Sequence, residues 1–450
     1  MPVLTSYLAA LRSLSRNARL YLISNAIQAV SAGALAIFYT LFLSALGFSK
    51  DAIGQTLFFG VLGAALGILP AGWFLDRAGW RATLIWSNLM GGAALLTQWL
   101  VPTLPVVSIT SVVVGASVAM YLVVNGPLLT ATSTPSERTA LFGVSTALLF
   151  LVGVIGTLLG GVLPDWMASS AVQHSPLVVV LSPLLRADPH VRAYQLALML
   201  AGIAAVPSLI PILMMREVRA VRAPRPPLAW QWDVGAWRER VAKARPLVTG
   251  PIGRFAVAQG LLGMGAGLYY PFLNIFFVEH LHATTTGYGF ITSGQTVLIA
   301  ATALIGSIVA ERFGKLRFAM MAQAASLPFL AALGLAPVLA LAIGLLLTRS
   351  AVINFGNAPL NAWYMEAVPA EHRGIASSVA NGAWQGAWAL GALAGGHVLD
   401  RLGYPGLFGV AAVLYAGSVS LMIWWFLRGN GKPRSIKDGL SLDLDLPARV

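Results

Sequence analysis

The chain has 450 residues, 57% of them hydrophobic and only 10% charged. Soluble domains carry about 25% charged residues, so this chain cannot cover a water-facing surface. An ordinary soluble enzyme and a disordered protein are both excluded, and a protein that crosses a bilayer repeatedly is indicated. The net charge of +13, from 29 Lys and Arg against 16 Asp and Glu, would suggest nucleic acid in a soluble chain. In a membrane protein it reads instead as the cytoplasmic excess of basic residues that orients helices. With no cysteine, disulfides, thiolate chemistry and cysteine metal sites are ruled out.

A helix needs about 20 apolar residues to span a bilayer. Roughly twelve windows qualify, near 20–47, 52–75, 82–101, 106–132, 139–163, 193–215, 254–280, 288–310, 317–334, 336–364, 374–398 and 405–427. The first, from Leu20 to Phe48, is too long for a signal-peptide core and follows no small-residue cleavage site, so it is read as a retained span. The windows at 106–132 and 336–364 are among the longest and are expected to tilt or to include turns. With the N-terminus placed in the cytoplasm, Arg12, Arg16, Arg19, Arg77, Arg81, Arg138, Arg312, Lys315, Arg317 and Arg373 all fall inside. Only Lys50, Arg186, Arg192 and Arg401 fall outside, the asymmetry expected of an even number of spans in a cell membrane with both termini cytoplasmic.

Residues 218–250 interleave Arg219, Arg222, Arg225, Arg238, Arg240, Lys243 and Arg245 with Trp230, Trp232 and Trp237. Beside twelve spans this reads as a cytoplasmic linker with a short amphipathic helix on the inner leaflet, not as an RNA-binding segment. The expected organisation is a six-helix bundle over 1–217, the basic linker 218–250, a second six-helix bundle over 251–428 and a polar tail over 429–450.

Four hairpins end in similar acid signals, at Asp76, Asp165, Glu311 and Asp400. Asp76 to Asp165 and Glu311 to Asp400 are each 89 residues, and Asp76 to Glu311 and Asp165 to Asp400 are each 235. Within a half the two acids lie on opposite sides of the membrane, which implies inverted three-helix units. The two halves share an orientation, which implies a parallel duplication. Asn125-Gly-Pro127-Leu and Asn357-Ala-Pro359-Leu, 232 residues apart, repeat the echo.

Gly72-x-x-x-Asp76-Arg77-x-Gly79-x-Arg81 resembles the loop signature of the major facilitator superfamily, between its second and third helices. Glu311-Arg312-x-Gly314-Lys315 resembles the weaker copy in the second half. Gly156-Thr157-x-x-Gly160-Gly161 resembles the family's antiporter motif, with Thr157 in place of the usual proline. Ser111 stands where proton antiporters of the family often carry an Arg, which counts against drug–proton exchange. The resemblance covers nearly the whole chain. It implies an all-helical membrane protein of twelve helices in two pseudo-symmetric six-helix bundles, working by alternating access around a central cavity. Gly72, Asp76, Arg77, Gly79, Arg81, Arg138, Glu311, Arg312 and Arg373 are then the expected gate. Asp76 and Arg77 would pair with Arg373 or Arg138, and Gly72 and Gly79 would permit close backbone approach. The competing account is a charge cluster that only orients the helices.

Arg349 lies near the middle of the tenth window. A buried Arg at that depth is expensive and normally faces a cavity or a partner. None of the sixteen acids lies mid-span, so an anionic or carboxylate-bearing solute is one expected partner. Backbone carbonyls, Asn354 or water are the other. In the architecture the resemblance implies, Asn25, Gln28, Tyr121, Asn125, Tyr269, Tyr270, Asn274 and Asn357 lie on cavity-lining helices, and Trp384, Gln385 and Trp388 join them from the eleventh. Interhelical hydrogen bonding is the alternative for each.

The first expectation is a secondary transporter exporting a small anionic or amphiphilic solute. Multidrug efflux is second, and a transport-inactive receptor third. No Walker sequence, His-Glu-x-x-His or Gly-x-Ser-x-Gly is present, so no enzyme and no cofactor are expected. Glu279-His280-x-His282 is too weak a pattern for a metal site. The expected partners are a small solute, the lipid bilayer and a coupling proton, with no nucleic acid and a monomeric state.

Overall fold

The structure, a computed structural model, describes residues 15–133, 135–216, 250–369 and 372–427. The linker helix and the tail expected from sequence lie outside the described residues. Every regular element among the described residues is helical, as a bilayer requires of a chain that must satisfy its own backbone. Among the described residues ten helices are long and apolar enough to cross a membrane, and two of these turn midway into two arms. The run Lys50–Leu100 turns at Gly79 into arms over 50–78 (α2) and 80–100 (α3). Arg373–Leu427 turns at Gly403 into arms over 373–402 (α11) and 404–427 (α12). The others are α1 (Arg16–Ala45), α4 (Leu104–Ala131), α5 (Pro135–Met167), α6 (Pro189–Met214), α7 (Pro251–His280), α8 (Thr285–Phe313), α9 (Lys315–Leu333) and α10 (Leu339–Ala367).

The ends of these helices follow local chemistry. Ser15 and Ser49 accept hydrogen bonds from Ala18 N and Ala52 N and so cap α1 and α2. Gly79 and Gly314 make the loops into α3 and α9 with φ of 83° and 84°, a left-handed conformation that side chains resist. They stand 235 residues apart, the interval of the acid repeat. The two long windows are helical over most of their length: α4 and α10 are continuous over 28 and 29 residues, each with an internal proline, and only residue 132 and residues 336–338 of those windows lie outside the helices. Helix α7 behaves as its proline predicts. It loosens at Tyr270–Phe272 around Pro271 and closes in a π-helical turn, Phe276–His280.

The chain forms two compact units. The first holds the described residues through 216 together with Phe272–Thr296, and the second holds 250 through Pro271 and the described residues from Val297 onward. The core of the first draws Tyr21 from α1, Trp80 and Leu84 from α3, Val124 from α4, Leu141 from α5 and Ile212 from α6. The core of the second draws Phe255 from α7, Met320 from α9, Tyr364 from α10, Ala380 from α11 and Phe426 from α12. These are the same helices, counted six on, so the duplication read from the acids is also a duplication of packing. Outward faces stay apolar: Leu69, Leu304 and Val413 are each more than 70% exposed, a surface that lipid tails cover.

Candidate functional site

Arg349 sits on α10 in the second unit and is only 5% exposed. Its guanidinium carbon lies 5.0 Å from the ring centre of Tyr269 on α7 and 5.1 Å from that of Tyr415 on α12. Aromatic faces attract a cation through their quadrupole but leave its N–H bonds free. Nε and Nη2 have no hydrogen-bond partner. Asn354 does not serve them: its amide donates to Ser350 O at 2.8 Å, and its oxygen accepts from Asn357 at 3.1 Å.

A cavity of about 430 Å³ lies beside this group within the second unit. Its walls mix the amides of Gln259, Asn357, Asn361 and Asn381 with the rings of Phe255, Tyr364, Trp384 and Tyr415. Ile353, one turn beyond Arg349 on α10, also lines it. Tyr415 belongs to both places, as a cavity wall and as a face against the guanidinium. Its ring fits because residue 265 is glycine: a Cβ there would lie 2.7 Å from the ring.

Of the expected residues, the second unit therefore brings Arg349, Tyr269, Asn357 and Trp384 to or beside the cavity. Tyr270 is 50% exposed. Gln385 is exposed and Trp388 half-buried, and neither lines the cavity, so the face of α11 that does so carries Asn381 and Trp384.

In the first unit Asn25 is 2% exposed, and its Oδ1 lacks a hydrogen-bond partner, as does the Tyr121 hydroxyl. Tyr21 stacks on Tyr121 at 6.1 Å and donates to Asn125 at 3.1 Å. Gln28 is occupied differently. It donates to Asn88 and, at 3.2 Å, to Ser208 Oγ, which itself donates to Asn88 at 2.9 Å. That network joins α1, α3 and the 206–208 turn of α6 and has the form of interhelical glue. Asn274 is likewise engaged, donating to Ile37 O at 2.9 Å and to Thr40.

The expected gate residues lie at helix ends. Asp76 and Arg77 are exposed at the end of α2, and Arg77 covers the Trp73 ring at 4.0 Å. Arg81 donates to Leu213 O at 2.6 Å, tying α3 to α6. Glu311 and Arg312 are exposed at the end of α8, and Arg373 donates through Nε to Val368 O at 3.3 Å. Gly72 makes no close approach: nothing lies within 4 Å of a Cβ built on it. The side chain of Arg138 lies outside the described residues. The acid signal at Asp165 takes a defined role. It accepts from Thr285 Oγ1, from Thr286 N at 2.8 Å and from Thr286 Oγ1 at 2.6 Å, capping the start of α8 inside the first unit.

Tyr415, Phe255, Tyr364 and Asn361 were not signalled by sequence. The neighbours of Arg349 are tyrosines, not acids. Tyr415 is the one whose signal was there to read, an aromatic in the middle of the twelfth window; Phe255, Tyr364 and Asn361 lie toward helix ends, where such residues are common.

These features meet their counterparts among known proteins. The Major Facilitator Superfamily model matches residues 21–249 and 255–442. A bacterial homolog to the human lysosomal transporter Spinster, in an inward-facing and occupied conformation, superposes with a TM-score of 0.69 at 14% identity, covering 96% of this chain and 98% of that one. The nucleoside transporter NupG gives 0.67 at 14%, covering 91% and 98%. A D-xylose-proton symporter gives 0.63 at 15%, covering 96% and 99%. Comparison with curated proteins by sequence finds no match. Two duplicated helical units, the Gly79 and Gly314 loops and a family match over both halves place this chain in the Major Facilitator Superfamily.

Proposed function

We propose that this secondary transporter carries a small organic anion and that Arg349 contacts its negative group. The observation that supports this most is the buried guanidinium, with Nε and Nη2 unpartnered and tyrosine faces where a carboxylate would be expected. A buried charge without a counter-ion costs several kcal/mol. The sequence holds no Asp or Glu at mid-span to offset it, so the solute supplies the opposite charge. The amides and rings of the cavity suit a solute that is also partly apolar.

The cavity residues Phe255, Met365 and Ser377 lie near the helix ends that carry Arg254, Glu366 and Arg373. By the positive-inside rule that end is cytoplasmic, so a solute inside the cell has access to the site, and export across the plasma membrane is the direction this account takes. In this account Asp76, Arg77, Arg81, Glu311, Arg312, Arg138 and Arg373 form the cytoplasmic gate, and the monomer is the working unit. Proton coupling has no mid-span carboxylate to use.

Efflux of uncharged or cationic amphiphiles is the second account, supported by the aromatic wall of Phe255, Tyr364 and Trp384. A thermal-shift screen of anionic, neutral and cationic solutes on wild type and Arg349→Ala separates the two, because ligands that bind the folded state raise its melting temperature. Anions that stabilise wild type and not the variant are the expected result. Neutral or cationic amphiphiles that stabilise both proteins equally would make Arg349 structural and establish the second account.

A further inference from the structure

The two unpartnered nitrogens of Arg349 are Nε and Nη2. In a guanidinium these two N–H bonds run parallel along one edge, the edge that grips a carboxylate side-on through two hydrogen bonds. Resting on the anion reading above, we infer that the solute is a monocarboxylate held side-on by this edge, with no second anionic group and no ammonium.

The charge count carries the restriction. Arg349 is the only Lys or Arg placed mid-span, and no Asp or Glu is placed there. The cavity wall adds amides, a serine, aromatic rings and apolar side chains, all uncharged. One negative charge brings the buried site to neutrality. A second would be buried against no cation, and an ammonium against no carboxylate, each at the cost of an unpaired charge in a low dielectric. A neutral solute would leave Arg349 as unpaired as before. The body of the solute then meets Asn357, Asn381 and Trp384, which fit a flat group with hydrogen-bonding edges. Tyr415 stands as wall to the cavity and as face to the guanidinium, so its ring borders the bound carboxylate as well as the body of the solute.

The test uses the purified full chain in lipid nanodiscs and one charge series on three bodies, phenyl, indolyl and pyridyl. Each body is offered as its acetate, acetamide, malonate and α-amino acid, and affinity is read by melting shift and calorimetry. At least one acetate is expected to bind tenfold or more tighter than its three partners. Arg349→Met should abolish that preference, and Arg349→Lys, which keeps the charge and loses the fork, should weaken the acetate tenfold or more. Methionine replaces an unpaired buried charge with an apolar chain, so the variant is expected to melt no lower than wild type, and a lost shift is then not a lost fold. A malonate or amino acid that binds as well as the acetate, with Arg349 required, overturns the monocarboxylate and leaves the anion reading standing. Acetamide equal to acetate in wild type and in Arg349→Met overturns both. Lysine equal to arginine overturns the side-on fork, and silence from every acetate overturns the inference as a whole.

Discussion

At the scale of single residues, the arrangement around Arg349 depends on what is missing at position 265. Tyr415 rests where a Cβ on Gly265 would stand 2.7 Å from its ring, well inside van der Waals contact. Gly265→Ala must therefore displace the ring from both the cavity wall and the guanidinium. Such overpacking costs about 1–3 kcal/mol, so the variant is expected to bind the solute about tenfold or more weakly while its helical content, read by circular dichroism, is unchanged. Unaltered affinity would show that Tyr415 does not shape the site. Arg349 was legible in the sequence because charge at mid-span is rare. Its surroundings were not, because an aromatic partner carries no sign that a search for counter-ions can find. Gln28 and Asn274 show the converse limit: a polar residue on a cavity helix looks the same in sequence whether it faces a solute or a neighbouring helix. Only the partners, Asn88 and Ser208 for one and Ile37 and Thr40 for the other, decide.

At the scale of elements, the acid repeat gave positions, and the structure supplies one of its uses. The first turn of a helix leaves its N–H groups without partners. At the start of α8, Thr284 Oγ1 accepts from Gly287 N at 2.9 Å, and Asp165 on α5 accepts from Thr286 N at 2.8 Å. A cap supplied by another helix docks the two as well as ending one. Removing a cap costs about 0.5–2 kcal/mol. Asp165→Ala is therefore expected to speed hydrogen exchange at residues 286–288 about tenfold, with the amides in the middle of α5 unaffected. Exchange unchanged at those amides would show that the carboxylate does not hold the helix start. Span positions were legible because hydrophobic length is a direct demand of the bilayer. The grouping of Phe272–Thr296 with the first unit was not, because it depends on packing at Pro271 and beyond, which hydropathy does not encode.

At the scale of the whole molecule, the sequence revealed the duplication because spacing survives where side chains diverge. The interval of 235 residues reappears in the Gly79 and Gly314 loops, and equivalent helices build both cores. Orientation rests on the distribution of Arg and Lys alone. The chain has no cysteine, so single cysteines report cleanly: Arg317→Cys is expected to react with a membrane-impermeant maleimide only from the cytoplasmic side, and Arg186→Cys only from the opposite side. Labelling of both from one side would overturn the assigned topology. The central claim, that the chain transports an organic anion through Arg349, is tested most directly by flux. Proteoliposomes would be loaded with the best-binding anion, and efflux of unchanged solute measured for wild type and Arg349→Met, with and without a pH gradient. Saturable efflux in wild type that falls at least tenfold in the variant is the predicted result. Equal efflux from both proteins, or none above protein-free liposomes, would contradict it.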